Sequence, residues 1–484
     1  MPICTKSMSF DECELAILRS AVDKIDHIKG KTLLNNDSVK NIVNIVENFI
    51  IDNKLICYGG TAINNILPKK DQFYNKDIEI PDYDFFSPTP LEHAKELADI
   101  YYKLGFKEVE AKSGVHPGTF KVFVNYLPIA DITYLVPELF NSVKKEAVVV
   151  DKIYYSPPNF LRMLMYLELS RPAGNVSRWE KVLKRLTLLN RNYPLVGKNC
   201  SSENIQRIFE TGVKQINKKL KNNPEIDKIK TREEVQELLF VHVLDTLIEN
   251  NCVFFGAYAN QNYFNKINQR KRKKKILNKK IPDFDVLAEE PKIVALLIQQ
   301  RLKSYGFLNV TIKKRKGVGE VIAPHYEVKF DKETLLFIYQ PLACHSYNQI
   351  NIENKKIRIA TIDTMLSFYL AFLFINRSYY EKNRILCMCE YLFKAQQKNR
   401  LRQTGLLKRF SINCIGKQKT LEIMRAEKSE MYHALKNKRG TKEYEWWFLR
   451  YIPDEIKKKK RRKKKNKTKR KKKKKNKTKK KPLK

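Results

Sequence analysis

The sequence predicts an α/β chain, α+β in layout, in which one mixed sheet with flanking helices occurs twice in tandem. Three observations predict it. Segments with helical apolar spacing alternate with short β-branched and aromatic runs. Residues 80–106 (IPDYDFFSPTPLEHAKELADIYYKLGF) lie without gaps over 281–307 (IPDFDVLAEEPKIVALLIQQRLKSYGF), a shift of 201 positions with eight identities in 27. The 484 residues, 43% hydrophobic and 11% aromatic, suffice for two or three cored domains.

Val39 to Ile51 places Ile42, Ile45, Val46, Phe49 and Ile50 at helical spacing, with Asn36, Asp37 and Ser38 as capping candidates. Leu55 to Tyr58, then Gly59 and Gly60, then Thr61 to Leu67 read as strand, tight turn and helix. Asp77 to Phe86 reads as a second strand and Pro90 to Leu104 as a helix with Leu91, Ala94, Leu97, Ala98 and Tyr101 on one face. Phe120 to Tyr126 and Ile129 to Val136 read as strands. Upstream of the second copy, Asn251 to Asn260 resembles Leu55 to Asn64, again after an amphipathic helix; downstream, Pro341 to Cys344 (PLAC) matches Pro128 to Asp131 (PIAD). The expected divisions are a helical segment 1–36, a first domain 37–156, a helical linker 157–230, a second domain 231–360, a helical region 361–456 and a basic tail 457–484.

Lys457 to Lys484 holds 22 basic residues and no acid, so of the net charge of +43 the first 456 residues keep +21. A tail without apolar content cannot bury a core and is expected to be disordered. A body that basic expects a polyanion, because positive potential concentrates nucleic acid through counterion release. Nine scattered cysteines without paired CxxC spacing read as reduced thiols of an intracellular compartment. The opening MPICTKSMSFDECELA lacks a signal-peptide layout, and Met365 to Ile375 is about half the roughly 20 residues that cross a bilayer, so no membrane partner is expected.

Asp82 and Asp84 are two apart on an expected strand, so both carboxylates point to one face. Two carboxylates that close repel unless a cation lies between them. Asp131, among apolar neighbours, also needs a partner. Three convergent aspartates can hold two Mg²⁺ or Mn²⁺, ions that prefer hard oxygen ligands and leave positions open for phosphates. Gly59 and Gly60 supply a turn free of β-carbons at a helix start, where backbone amides favour phosphate. A DxD alone reads more readily as a solvated strand end or a turn, and glycosyltransferases use one too. The ordered set of GG, DxD and a third aspartate carries more.

That set resembles the polymerase β nucleotidyltransferase superfamily. YGGTAIN (58–64), IPDYDFFS (80–87), LPIADITYLVP (127–137) and YLELSRPAGNVSRWEKVLKRLTLLNRNYPL (166–195) are similar to the poly(A) polymerase catalytic subunits of nucleocytoplasmic large DNA viruses. The resemblance implies two tandem nucleotidyltransferase-like domains and template-independent addition of AMP from ATP to an RNA 3′ end. By position, Asp82 and Asp84 would bind both metal ions, Asp131 the one that activates the 3′-hydroxyl, and Gly59 and Gly60 the triphosphate, with Thr61 in place of the common Ser. In related polymerases the next segment closes over the nucleotide, which makes Arg171 and Arg178 candidate nucleotide contacts; a solvated basic face is the alternative. The second domain keeps Asp283 and Asp285 but places Cys344 opposite Asp131, with Asp331 or Glu327 as substitutes, so it is expected to be a degenerate RNA-binding scaffold. The run Arg270, Lys271, Arg272, Lys273, Lys274, Lys275 is expected to hold RNA phosphates. Analogy adds a homodimer and a location in the virion and the host cytoplasm, at the viral factory. The rival readings are another terminal RNA nucleotidyltransferase such as a uridylyltransferase, an inactive RNA-binding subunit and a lysine-tailed structural protein.

Overall fold

The computed structural model describes residues 4, 8–34, 37–74, 81–200, 232–268, 284–331, 333–352, 354–398 and 403–454. The basic run from Arg270 to Lys275, Asp283 and the tail 457–484 lie outside them. Contacts divide the chain into two units, one of residues 1–135, 147–156 and 421–484, the other of 136–146 and 157–420. Of the described residues, 157–200 and 232–420 (with 136–146) group in the second unit, while 421–454 return to the first.

The first unit carries strands β1 (Ile56–Cys57), β2 (Tyr83–Ser87), β3 (Val109–Ser113), β4 (Thr119–Val124), β5 (Leu127–Tyr134), β6 (Val148–Val150) and β7 (Ile153–Tyr155). The second carries β8 (Val253–Phe254), β9 (Phe284–Leu287), β10 (Val310–Arg315), β11 (His325–Phe330), β12 (Glu333–Tyr339), β13 (His345–Ile352), β14 (Lys355–Ala360) and β15 (Cys414–Ile415). A final strand, β16 (Arg450–Tyr451), rejoins the first unit. The sheet orders are β16-β3-β4-β5-β2-β1-β7-β6 and β10-β11-β12-β9-β8-β14-β13-β15. Seven strands thus recur in the same order and pairing sense, with one late strand added at opposite ends. Both additions fall where the sequence reads only helices; each pairs with an edge strand that would otherwise expose unpaired backbone groups.

Local chemistry explains the repeated elements. The helices Pro90–Lys103 and Pro291–Ser304 both start with proline, whose fixed φ suits a first turn. Both end on a Gly-Phe pair: Gly105 (φ +101°) and Gly306 (φ +90°) turn the chain, while Phe106 and Phe307 donate back to the carbonyls of Tyr101 and Leu302. Strands β4 and β5 meet at Asn125 and Tyr126, both with positive φ, as a two-residue hairpin of right-handed twist requires. The inner faces pack apolar cores that include Phe85, Val122 and Ile132 in one unit and Val286, Val328 and Ile338 in the other.

The expectation of reduced thiols needs correction. Cys4 pairs with Cys13, Cys200 with Cys387 and Cys344 with Cys414, leaving Cys57, Cys252 and Cys389 as buried thiols. Two of these pairs join residues 187 and 70 positions apart, a proximity that only the fold creates.

Candidate active site

Strand β5 lies between β4 and β2. Its register places Asp131 beside Lys121 on one side and beside Asp84 on the other. Residues directly opposite on paired strands share a face, so Lys121, Asp131 and Asp84 form one row across the sheet. The row ends at Gly59, where φ is +73° and a Cβ would stand 2.5 Å from a carboxylate oxygen of Asp84. Only glycine lets the turn come this close. A second row runs parallel to it: the Thr119 and Thr133 hydroxyls lie 3.2 Å apart, the Tyr58 hydroxyl lies 2.9 Å from that of Thr133, and the Tyr58 ring stacks on Phe86 at 3.9 Å.

Asp82 is exposed and stands one residue before β2, so of the two expected strand carboxylates only Asp84 lies within the strand. Thr61 places Asp82: its hydroxyl, at the start of helix Gly59–Ile66, donates to the Asp82 carbonyl at 2.8 Å. This buried hydroxyl braces the backbone of the DxD segment. The protein packed around Asp82, and then the charge of Asp131, push its carboxyl above the ordinary value, while Lys121 pulls it down. Burial, and next to it the charge of Asp84, push the Cys57 thiol and the Tyr58 hydroxyl up. Lys121 ion-pairs with Asp131.

These donors fit a hard divalent cation. They are carboxylates only, one is cradled against a glycine, and the concentrated negative charge already draws an ammonium. They are not gathered as a bound ion would gather them, since among the described residues no three His, Cys, Asp or Glu side chains form such a group.

Lys121 is the residue sequence reasoning missed. Its one signal is a lysine in the apolar strand FKVFV. A bulge between Val122 and Phe123 shifts the hairpin register and puts Lys121 opposite Asp131.

Arg171 and Arg178 belong to the second unit. Arg178 pairs with Glu168 at 3.2 Å. Arg171 is half-buried beside Glu320 and His345, and its Nε meets no hydrogen-bond partner among the described residues. Burial holds its guanidinium below the ordinary value.

In the second sheet Asp285 repeats Asp84, and Gly256 lies beneath it as Gly59 does beneath Asp84. The partner of Asp285 across the parallel pair is Phe337, so the third position holds a buried phenylalanine, not Cys344. Glu327 lies opposite Phe337, where the first unit has Lys121, and is consumed by Arg315 at 2.5 Å and Thr334 at 2.7 Å. Asp331 lies at the turn beyond β11, where its carboxylate accepts from Asn309.

Residues 44–175 match the profile of a family described as poly(A) polymerase catalytic subunit. A protein of African swine fever virus (strain Badajoz 1971 Vero-adapted), named as a candidate subunit of that kind, is 33% identical over 201 residues, 40% of this chain and 42% of its own. A like-named protein of Acanthamoeba polyphaga mimivirus is 33% identical over 186 residues, 37% of this chain and 30% of its own. The chain thus spans less than half the length of these curated relatives. The crystal structure of the Megavirus polyadenylate synthase superposes with a TM-score of 0.73 at 20% identity, covering 94% of this chain and 88% of the other. In sequence over residues 44–175, and in fold over nearly its whole length, this chain resembles the poly(A) polymerase catalytic subunits of large DNA viruses.

Proposed function

We propose that this chain is a polynucleotide adenylyltransferase that adds AMP from ATP to the 3′ end of RNA without a template. The row Lys121–Asp131–Asp84–Gly59 carries the reading, because it presents carboxylates beside a turn that can receive a triphosphate. The 3′-oxygen of the RNA forms a bond to the α-phosphorus as the bond to the β-phosphate oxygen breaks, pyrophosphate leaves and the hydroxyl proton passes to water. Mg²⁺ or Mn²⁺, held by Asp82, Asp84 and Asp131, would supply charge neutralisation at the phosphates and acidify the attacking hydroxyl. The chain's own part is positioning. Gly59 leaves room for the Asp84 carboxylate, Gly59 and Gly60 at the helix start are the candidate triphosphate contacts, Thr61 fixes the backbone of Asp82, and the Tyr58–Thr133–Thr119 row stiffens the sheet beneath. Arg171 and Arg178 remain candidate nucleotide contacts and Arg270 to Lys275 a candidate RNA contact. The viral relatives favour a virus-encoded enzyme acting at a cytoplasmic factory or in the virion, as a homodimer by analogy.

Primer extension tests the reading, with the full chain, a labelled RNA, Mg²⁺ or Mn²⁺, and each nucleoside triphosphate separately. Long ladders with ATP, absent for Asp82→Ala and Asp84→Ala, are expected. Extension with UTP alone would make the chain a uridylyltransferase, and tight RNA binding without extension would make it a binding subunit.

A further inference from the structure

The segment Asp82–Tyr83–Asp84 is held at each of its three residues by a different part of the first unit. The Tyr58 N–H donates to the Asp84 carbonyl at 2.9 Å, and the Thr61 hydroxyl donates to that of Asp82 at 2.8 Å. The third hold comes from the other face of the sheet. Tyr83 alternates with its two neighbours, so its side chain leaves the carboxylate face. It is buried, and its hydroxyl donates to Glu47 of the helix Asp37–Asp52. Burial, and next to it the charge of Glu47, push the Tyr83 hydroxyl above its ordinary value, which keeps it a donor. Glu47 itself is half-buried and pairs with no cation among the described residues. A carboxylate taken from water without a counter-ion costs stability, so packing alone does not account for it.

The second unit separates what the fold needs from what the site needs. A shift of 197 positions sets Gly59 on Gly256, and the buried Ile42, Val46, Phe49 and Ile50 on Leu239, Val243, Thr246 and Leu247, all buried, of the helix Arg232–Glu249. The same shift sets Tyr58 on Phe255, whose N–H donates to the Asp285 carbonyl at 2.9 Å, so the backbone hold is kept. Both side-chain holds are gone. Thr61 falls on Tyr258 and Glu47 on Leu244, and Phe284 precedes Asp285 where Tyr83 precedes Asp84. The two members of the Tyr83–Glu47 bond have become apolar together, in the unit whose row holds Phe337 in place of the central carboxylate. Helix and strand form there all the same. The bond therefore serves the carboxylates and not the fold, and Asp82 needs it most: it stands one residue before β2, outside the ladder that fixes Asp84, and the charge of Asp131 works against its ionised form.

We propose that Glu47 is a positioning residue of the reaction, which through the Tyr83 hydroxyl fixes the DxD backbone so that Asp82 and Asp84 converge on one divalent ion. The inference rests on the metal-dependent polymerase reading.

The test is a Mn²⁺ titration of the nucleotide-free full chain followed by electron paramagnetic resonance, with thermal melts of each variant. Tyr83→Phe and Glu47→Leu introduce the residues that the second unit carries at these places. Each should weaken Mn²⁺ binding roughly tenfold, the usual worth of a residue that orients a metal ligand, and leave melting close to wild type. Since both changes remove one bond, the double variant should lose no more than either single one. Glu47→Gln, which still accepts from Tyr83, should restore most of the affinity lost in Glu47→Leu. Lowered melting with Mn²⁺ affinity unchanged in both single variants would make the bond structural and overturn the proposal, as would losses that multiply in the double variant. Binding that is absent from wild type, or that Asp84→Ala leaves intact, would overturn the metal reading and this inference with it. Binding that Asp84→Ala abolishes but Tyr83→Phe leaves untouched would overturn this inference alone.

Discussion

Lys121 changes how the carboxylate row has to be read. Its ammonium occupies the negative field that a divalent ion would occupy, so a bound ion would compete with the lysine for Asp131. Removing the charge should therefore tighten metal binding while leaving the donors in place. Lys121→Met is expected to raise Mn²⁺ affinity roughly threefold to tenfold in nucleotide-free protein, a modest factor because the pair is partly exposed and screened. Electron paramagnetic resonance titration reads this directly, and an unchanged or weaker affinity would remove Lys121 from the metal's surroundings. The aspartates and glycines were legible in the sequence because their spacing is local: GG and DxD each span two or three residues. Lys121 was not legible, because its place depends on a bulge. The plain hairpin register from Val124 and Leu127 would set Lys121 beside Ala130 and leave Asp131 without its cation.

At the scale of the element, β13 shows how a buried strand couples the second sheet to pH. It pairs with β14 and β15, and His345 at its start is buried, its Nδ1 meeting no hydrogen-bond partner among the described residues. Burial, and then the neighbouring Arg171, lower its pKa to about 3. The folded chain therefore keeps His345 neutral between about 3 and the ordinary 6.5, while the unfolded chain takes up a proton. Stability is lost as pH falls through that window, by at most about 1.4 kcal/mol per pH unit for one such group. His325, also lowered chiefly by its own burial, adds to the slope. Thermal melts from pH 7 to pH 4 should show the decline, and His345→Gln should flatten it; an equal slope in that variant would mean that His345 carries none of it. The amphipathic run before Val253 made its helix readable here, but β15 was not, since Cys414 and Ile415 are two residues whose only strand character is the partner they find. The same holds for β16.

The whole molecule is a duplication in which one copy keeps the row and the other dismantles it. The repeat was legible because residues 80–106 and 281–307 carry it without gaps. Beyond that stretch the constant offset fails. The loop between β10 and β11 is longer than that between β3 and β4, so the counterpart of Asp131 lies 206 positions on, at Phe337, while that of Asp84 lies 201 on, at Asp285. A match of four letters, PIAD to PLAC, points past the strand altogether. The structural count leaves the second row as Glu327, Phe337 and Asp285, with Glu327 bound to Arg315, a set that lacks the central carboxylate. Hard cations need that oxygen, and an aromatic ring cannot supply it. The second unit should therefore be silent in catalysis: Asp285→Asn is expected to leave extension with ATP within about twofold, whereas Asp84→Asn should lower it by roughly a hundredfold or more. Asp285 is buried, so melting curves must accompany the assay and show that the variant is folded at the assay temperature. A folded Asp285→Asn chain that had lost extension as fully as Asp84→Asn would mean that the second sheet, despite Phe337, takes part in the reaction.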